Sequence, residues 1–177
     1  MSVTLAYVAK GDTVVDATCG SGQDTVVLAR AVGETGCVYA FDIQKKALFL
    51  TEARLRSHGH NNVYLLMKSF ASMSDHIAEG SAAAVVFNLG YLPGGAHSIT
   101  TTADETLKGL ECALMAIRPG GIVTVVLYDG HEDGSVEKQS VLNWAESLDS
   151  RKYHAAFVSL INQANNPPEI LWITKKI

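Results

Sequence analysis

Two acidic residues and two glycines in the first quarter of the chain have the spacing of a nucleoside-binding unit. Asp16 ends an apolar run and lies four residues before Gly20, which together with Gly22 forms a glycine-rich turn. Asp42 ends a second apolar run, about twenty residues after the turn. Glycine permits backbone angles that other residues avoid and lets a ligand come close. An acid at the end of the second strand accepts hydrogen bonds from ribose hydroxyls. The pattern therefore predicts a strand, a ligand-binding turn and a helix.

The residue at the third glycine position of the motif distinguishes two cofactor classes. A dinucleotide-binding turn has the form G-x-G-x-x-G, but Thr25 occupies the third glycine position here. The arrangement Asp16-x-x-x-Gly20-x-Gly22 resembles motif I of the Rossmann-like S-adenosylmethionine (SAM) methyltransferases. A cationic sulfonium beside an α-ammonium group favours nearby carboxylates, whereas a pyrophosphate does not. The motif therefore favours SAM. Cys19, inside the turn, is interpreted as a small packed residue and not as a nucleophile.

Length and composition are those of one globular domain, predicted to span residues 1–177. Hydrophobic residues make up 47% of the chain and charged residues 18%, which is ordinary for an α/β protein. No apolar run reaches the length of a membrane span, and the sequence starts without a signal-peptide pattern. We therefore expect a cytoplasmic protein. Three cysteines without a C-x-x-C pair predict neither a disulfide framework nor a metal site.

The charge balance argues against a protein that coats nucleic acid by electrostatics. The net charge is −4 and the isoelectric point is near 5.8. Four basic residues nevertheless recur along the second long predicted helix: Lys45, Lys46, Arg54 and Arg56. Such residues are most often a solvated helix face, so the sequence alone assigns them no partner.

The elements that position these residues alternate between strand and helix. Apolar runs predict strands at 13–17, 38–41, 62–68, 83–87, 122–128, 155–161 and 170–174. Helices are predicted after the glycine turn and at 44–58, 72–79, 101–118 and 136–148, with Pro119-Gly120-Gly121 separating the fourth helix from the fifth strand. The segment 163–168 is too short for a helical crossover, so the last two strands must pair antiparallel. This predicts a Rossmann-like SAM methyltransferase fold: a seven-stranded, mostly parallel sheet with a C-terminal antiparallel hairpin.

Three loops should share the carboxyl edge of that sheet, where open α/β sheets bind ligands. Ser69 follows the third strand, where it would approach the adenine or simply cap a helix. Asn88-Leu89-Gly90-Tyr91 follows the fourth strand and loosely resembles the Asn/Asp-Pro-Pro-Tyr motif of enzymes that methylate amine nitrogens, with both prolines replaced. Asp129 and His131 follow the fifth strand and are the ionisable residues best placed to remove a proton from an ammonium acceptor. Histidine is the better suited of the two by type, because its unperturbed pKa is nearest to neutral pH. A histidine that bonds only within its loop is an equally good reading of His131.

The same segments, taken together, resemble a small bacterial family labelled "putative rRNA methylases". The resemblance is carried by residues 15–25, 39–44, 87–95, 128–131 and 162–168, and the Asn-Leu-Gly-Tyr-Leu-Pro-Gly-Gly stretch is its most specific part. Members of that family are understood as tRNA methyltransferases that convert 5-aminomethyl-2-thiouridine at the wobble position to its methylaminomethyl form. The resemblance thus implies SAM as donor, an amine nitrogen as acceptor, a tRNA anticodon loop as substrate and a homodimer.

The resemblance also implies roles for individual residues. Catalytic roles fall on Asn88, Tyr91 and His131. The cofactor would be lined by Asp16, Gly20, Gly22, Gln23, Asp24, Asp42, Gln44, Ser69 and Asn88. The substrate side would include Leu92, Pro93, Gly94, Gly95 and Asp129.

Two departures from the family pattern accompany the resemblance. Glu132-Asp133 follows the fifth-strand histidine and adds acid near an expected RNA site, and the N-terminal helix is shorter than is usual in this fold. Two alternatives also stay open: an rRNA methyltransferase, which the family label suggests, and a catalytically silent SAM-binding module. A nicotinamide-dependent dehydrogenase is least supported, because the third glycine is missing.

Overall fold

The apolar runs assemble into one seven-stranded sheet with the order β3-β2-β1-β4-β5-β7-β6. The computed structural model describes residues 1–89, 102–128, 132–164 and 167–177, and for residues 132–134 the backbone only. The strands are β1 (Thr13–Asp16), β2 (Cys37–Phe41), β3 (Val63–Leu66), β4 (Ala82–Asn88), β5 (Ile117–Leu127), β6 (Tyr153–Val158) and β7 (Glu169–Lys175). The helices are α1 (Ser2–Leu5), α2 (Gln23–Val32), α3 (Lys45–Ser57), α4 (Ala103–Ala116) and α5 (Glu132–Glu146), with a 3-10 helix at Phe70–Asp75.

The central strands are buried on both faces, which explains their continuous apolar sequences. Alternating residues of β1 point to opposite faces, so Val14 packs with Leu28 of α2 and Leu55 of α3. Val15 packs on the other face, in the cluster that includes Leu110 of α4. Helices thus cover the sheet on both sides, while the carboxyl ends of the parallel strands face loops.

The C-terminal hairpin forms as predicted. Strand β7 pairs antiparallel with β5 on one side and with β6 on the other. Strands β1 to β5 pair in parallel. The predicted fold class is therefore confirmed.

The predicted boundary between the fourth helix and the fifth strand is wrong. Helix α4 ends at Ala116, and β5 begins at Ile117 and continues through the Pro-Gly-Gly stretch that we expected to be a break. The pairing of Ala82 with Ile117 jumps to Ala84 with Ile122, so the intervening residues form an irregularity in the strand. Bulges tolerate proline, which has no N–H to donate to a ladder.

Other predicted limits shift as well, among them that of β6, which runs over Tyr153–Val158 instead of 155–161. The turn after β3 is a 3-10 helix over Phe70–Asp75 instead of a helix over 72–79, because the Ser69 side chain caps it by accepting a hydrogen bond from the Ala71 N–H (3.1 Å). Helix α5 begins at Glu132, four residues before the predicted start. Acidic residues are favoured in the first turn of a helix, so Glu132-Asp133 is a start signal that the prediction overlooked. Among the described helices, none is long and apolar enough to cross a membrane.

Candidate active site

The glycine turn between β1 and α2 is the centre of the candidate site. Gly20 and Gly22 both have positive φ angles, 52° and 79°, which a residue with a side chain adopts only with strain. The Gly22 N–H donates to the Cys19 carbonyl (2.7 Å), and the Cys19 N–H donates to the Phe41 carbonyl of β2 (2.9 Å). The turn is therefore closed on itself and attached to the neighbouring strand, and α2 begins directly after it.

Asp42 lies at the end of β2 and holds the turn from the side. Its carboxylate accepts hydrogen bonds from the Gly20 N–H (3.1 Å) and the Gln44 N–H (2.8 Å), one on each oxygen. Burial raises its pKa above the ordinary value, although the backbone N–H donors oppose that rise. Each carboxylate oxygen can accept a second hydrogen bond. Asp42 can therefore hold the turn and still receive a ligand hydroxyl.

Asp16 lies beneath the turn, with only 1% of its surface exposed. The Thr25 hydroxyl donates to one carboxylate oxygen (2.6 Å), and the Thr18 N–H donates to the other (3.3 Å). Burial raises the pKa of Asp16 to about 7, and the charges of Asp24 and Asp42 add to that rise. Its contacts link the end of β1 to the first turn of α2.

Two residues of α3 also hold the turn, and the sequence prediction missed both. The Thr51 hydroxyl donates to the Gly20 carbonyl (3.1 Å), and the Arg54 Nε donates to the Ser21 carbonyl (2.7 Å). A Cβ atom on Gly22 would lie 2.8 Å from the Thr51 Cα, so the turn also packs directly on the helix. One signal was available: Thr51 is a polar residue on the otherwise apolar stripe of α3 that faces the sheet.

The end of β4 meets the same turn. The Asn88 N–H donates to the Thr18 Oγ1 (2.7 Å), and the Ala17 N–H donates to the Val86 carbonyl (2.8 Å). Asn88 itself is exposed. Strand β1 lies between β2 and β4, where the strand order reverses, and open α/β sheets bind ligands at this position.

The other predicted site residues fall in three groups. Gln23 and Asp24 lie in the first turn of α2, the first exposed and the second half-buried. The Ser69 hydroxyl donates to the Glu105 carboxylate of α4, in addition to capping the 3-10 helix. The remaining predicted residues lie outside the described residues: Tyr91, Leu92, Pro93, Gly94, Gly95, Asp129 and His131.

The donors and charges at the turn fit SAM. Asp24 and Asp42 each lie near enough to Asp16 for their negative charges to raise its pKa. A cationic ligand such as SAM relieves the repulsion among these acidic groups, whereas an anionic ligand such as a pyrophosphate would increase it. Within the described ranges, no group of three or more His, Cys, Asp or Glu side chains could hold a metal ion.

The strand order, the antiparallel β7 and the acid-flanked glycine turn define the class of Rossmann-like, SAM-dependent methyltransferases. The model of the family described as "Putative rRNA methylase" matches residues 38–174. This chain therefore belongs to the rRNA methylase family, as the sequence predicted.

Solved structures agree with this assignment. An rRNA methylase from Clostridium thermocellum is 42% identical, with a TM-score of 0.95 over 98% of this chain and 94% of that one. A methyltransferase from Streptococcus mutans, solved in complex with SAH, is 32% identical, with a TM-score of 0.89 over 98% of this chain and 94% of that one. The prediction of a SAM-dependent methyltransferase, with SAM as its cofactor, is thereby confirmed.

A curated relative carries a more specific name. The chloroplastic tRNA (mnm(5)s(2)U34)-methyltransferase of Arabidopsis thaliana is 37% identical over 168 residues, which cover 89% of this chain. The match spans 61% of the length of the Arabidopsis protein.

Proposed function

We propose that this protein methylates the aminomethyl nitrogen of 5-aminomethyl-2-thiouridine at the wobble position of tRNA, with SAM as the methyl donor. The observation that carries the proposal is the contact of the β4 end with the glycine turn, through the Asn88 N–H and the Thr18 Oγ1 (2.7 Å). It brings the strand that leads into the Asn-Leu-Gly-Tyr loop beside the cofactor turn. The name of the Arabidopsis relative supports the same substrate.

Residues of the turn would hold the donor. Asp42 would accept hydrogen bonds from the ribose hydroxyls, while Asp16 and Thr25 keep the turn in shape. SAM, when bound, supplies a methyl group from a positively charged sulfur, and the rest of the molecule is released as S-adenosylhomocysteine (SAH). The protein must then align the acceptor with that methyl group and exclude water.

Residues at the carboxyl edge would prepare the acceptor. An alkylamine is mostly protonated near neutral pH and attacks only after it loses a proton. We propose that Asn88 accepts a hydrogen bond from the amine and that Tyr91 stacks on the base. His131 or Asp129 would take the proton as the amine lone pair becomes available for the new C–N bond. The homodimer inferred from the family resemblance stays a prediction.

Labelled SAM tests the proposal in two parallel reactions, one with bulk tRNA and one with ribosomal particles, both from cells that lack this activity. Mass spectrometry then identifies the methylated nucleoside. We expect label on the aminomethyl group of the wobble uridine. Asn88→Ala should abolish transfer and leave SAH binding nearly intact, whereas replacing Asn143, an exposed asparagine of α5, by alanine should leave both unchanged. Label in rRNA only, or SAH binding without label in any RNA, would contradict the proposal and favour one of the two alternatives.

A further inference from the structure

Charge is distributed unequally between the two faces of the sheet. Helix α3 carries four basic residues and one acidic residue, although the whole chain has 14 basic and 18 acidic residues. On the opposite face, α4 carries three acidic residues and one basic residue, and α5 carries four and one. A polyanion is therefore attracted to the α3 side of the molecule and repelled from the α4 and α5 side.

The outward surface of α3 combines this positive charge with an exposed aromatic ring. Ala47, Thr51 and Leu55 of α3 are buried. The opposite side of the helix therefore carries residues at intervals of three and four: Lys45, Phe49, Glu52 and Arg56. Phe49 is 68% exposed, although nothing in the packing of α3 requires an aromatic residue at that position. Arg56 pairs with Glu52 (2.6 Å) further along the helix. The first turn, which holds Lys45 and the exposed Lys46, contains no acidic residue, so positive charge is concentrated there.

We propose that Lys45, Lys46 and Phe49, the "α3 face", form a docking surface for the RNA substrate. The lysines would contact backbone phosphates, and Phe49 would stack on an unpaired base, as aromatic side chains do in proteins that bind single-stranded RNA. This inference rests on the proposed function, because it takes RNA as the substrate.

The position of the α3 face connects it with the candidate site. Lys45 follows directly after Gln44, whose N–H is held by Asp42 at the carboxyl edge of the sheet. A shallow groove runs along α3 beside its contact with the glycine turn and is lined by Ser21, Leu50, Ala53, Arg54, Ser57 and His58. RNA held on the α3 face thus lies beside the cofactor turn, and its phosphates avoid the acidic helices α4 and α5.

Direct RNA binding tests the inference without any need for turnover. The probe is a fluorescein-labelled RNA hairpin with the sequence of a tRNA anticodon stem-loop, titrated by anisotropy at several salt concentrations. For Lys45→Ala/Lys46→Ala, the slope of log K against log[salt] should decrease by about 1.4, since each lost phosphate contact to a single strand accounts for about 0.7. Phe49→Ala should weaken binding about tenfold with little change in slope.

A matched double variant removes the same charge elsewhere. Lys108→Ala/Lys152→Ala replaces two exposed lysines on α4 and before β6, and it should keep the wild-type slope. An equal decrease in both double variants, or wild-type binding by Lys45→Ala/Lys46→Ala, would overturn the docking surface. Loss of binding to anionic lipid vesicles in Lys45→Ala/Lys46→Ala, with RNA binding unchanged, would also overturn it and assign the face to a membrane.

Methylation kinetics separate this inference from the proposed function. If both are right, Lys45→Ala/Lys46→Ala raises the KM for tRNA and leaves kcat and SAH affinity unchanged. RNA binding that depends on the α3 face, without any methylation of tRNA by the wild type, supports the docking surface and refutes the proposed function. Methylation of tRNA with a wild-type KM in the variant supports the proposed function and refutes the docking surface.

Discussion

The buried carboxyl of Asp16 should make the stability of this protein decrease as the pH rises toward neutrality. Burial raises the pKa of Asp16 from 3.8 to about 7, and one pKa unit corresponds to about 1.4 kcal/mol. Because the folded state holds the proton more tightly than the unfolded state, the free energy of unfolding falls between about pH 4 and about pH 7 and levels off above. The whole shift corresponds to about 4 kcal/mol.

Asp16→Asn removes this titration and keeps the local hydrogen bonds. The amide oxygen can accept from the Thr18 N–H, and the amide nitrogen can donate to the Thr25 hydroxyl once that hydroxyl turns. Urea unfolding of both proteins should show the variant gaining about 2.5 kcal/mol relative to the wild type between about pH 5 and about pH 8.

An aspartate with the opposite shift provides the control. Hydrogen bonds from Arg151 lower the pKa of Asp149 below its ordinary value, so its effect on stability is confined to acidic pH. The difference between Asp149→Asn and the wild type should therefore stay constant from about pH 5 to about pH 8. If the difference between Asp16→Asn and the wild type is also constant over that range, or shrinks as the pH rises, the reasoning about Asp16 is wrong.

Two further predictions concern the glycine turn. Gly22→Ala should abolish SAH binding in calorimetry and lower the melting temperature, because the new Cβ would lie 2.8 Å from the α3 backbone and the residue has a φ of 79°. The control is Gly80→Ala, where φ is 68° and the space around the Cβ is open. It should cost only the left-handed backbone strain of about 1 kcal/mol. Arg54→Ala should weaken SAH binding about tenfold by freeing the Ser21 carbonyl, whereas Arg56→Ala should leave SAH binding unchanged. If the two glycine variants have equal effects, or the two arginine variants do, α3 does not shape the turn.

Local patterns predicted the parts of the structure that depend on neighbours in sequence. The glycine turn, the acid after β2 and the antiparallel hairpin follow from residue types at short spacing, and all three are present. The entry into β5 did not follow from such a pattern, because Pro119 and Gly120 are ordinary break signals. In the structure, pairing with β4 and the ion pair of Arg118 with Asp12 (2.6 Å) fix this stretch instead.

The contacts of α3 with the turn could not be derived for a similar reason. Thr51 and Arg54 reach the turn across 31 and 33 residues, so their partners depend on how α2 and α3 pack side by side. The buried polar position of Thr51 indicated that a partner was required but did not identify it.

The contact between the glycine turn and β4 has a consequence for folding. All of the predicted cofactor residues except Asn88 lie between Asp16 and Ser69, but β1 needs β4, about seventy residues further on, as its second neighbour. A fragment that ends after β3 would contain the turn and Asp42 but would lack the Val86 carbonyl and the Asn88 N–H that hold the residues leading into the turn. The cofactor site is therefore completed only when a long chain loop closes, which couples its formation to that of the central sheet.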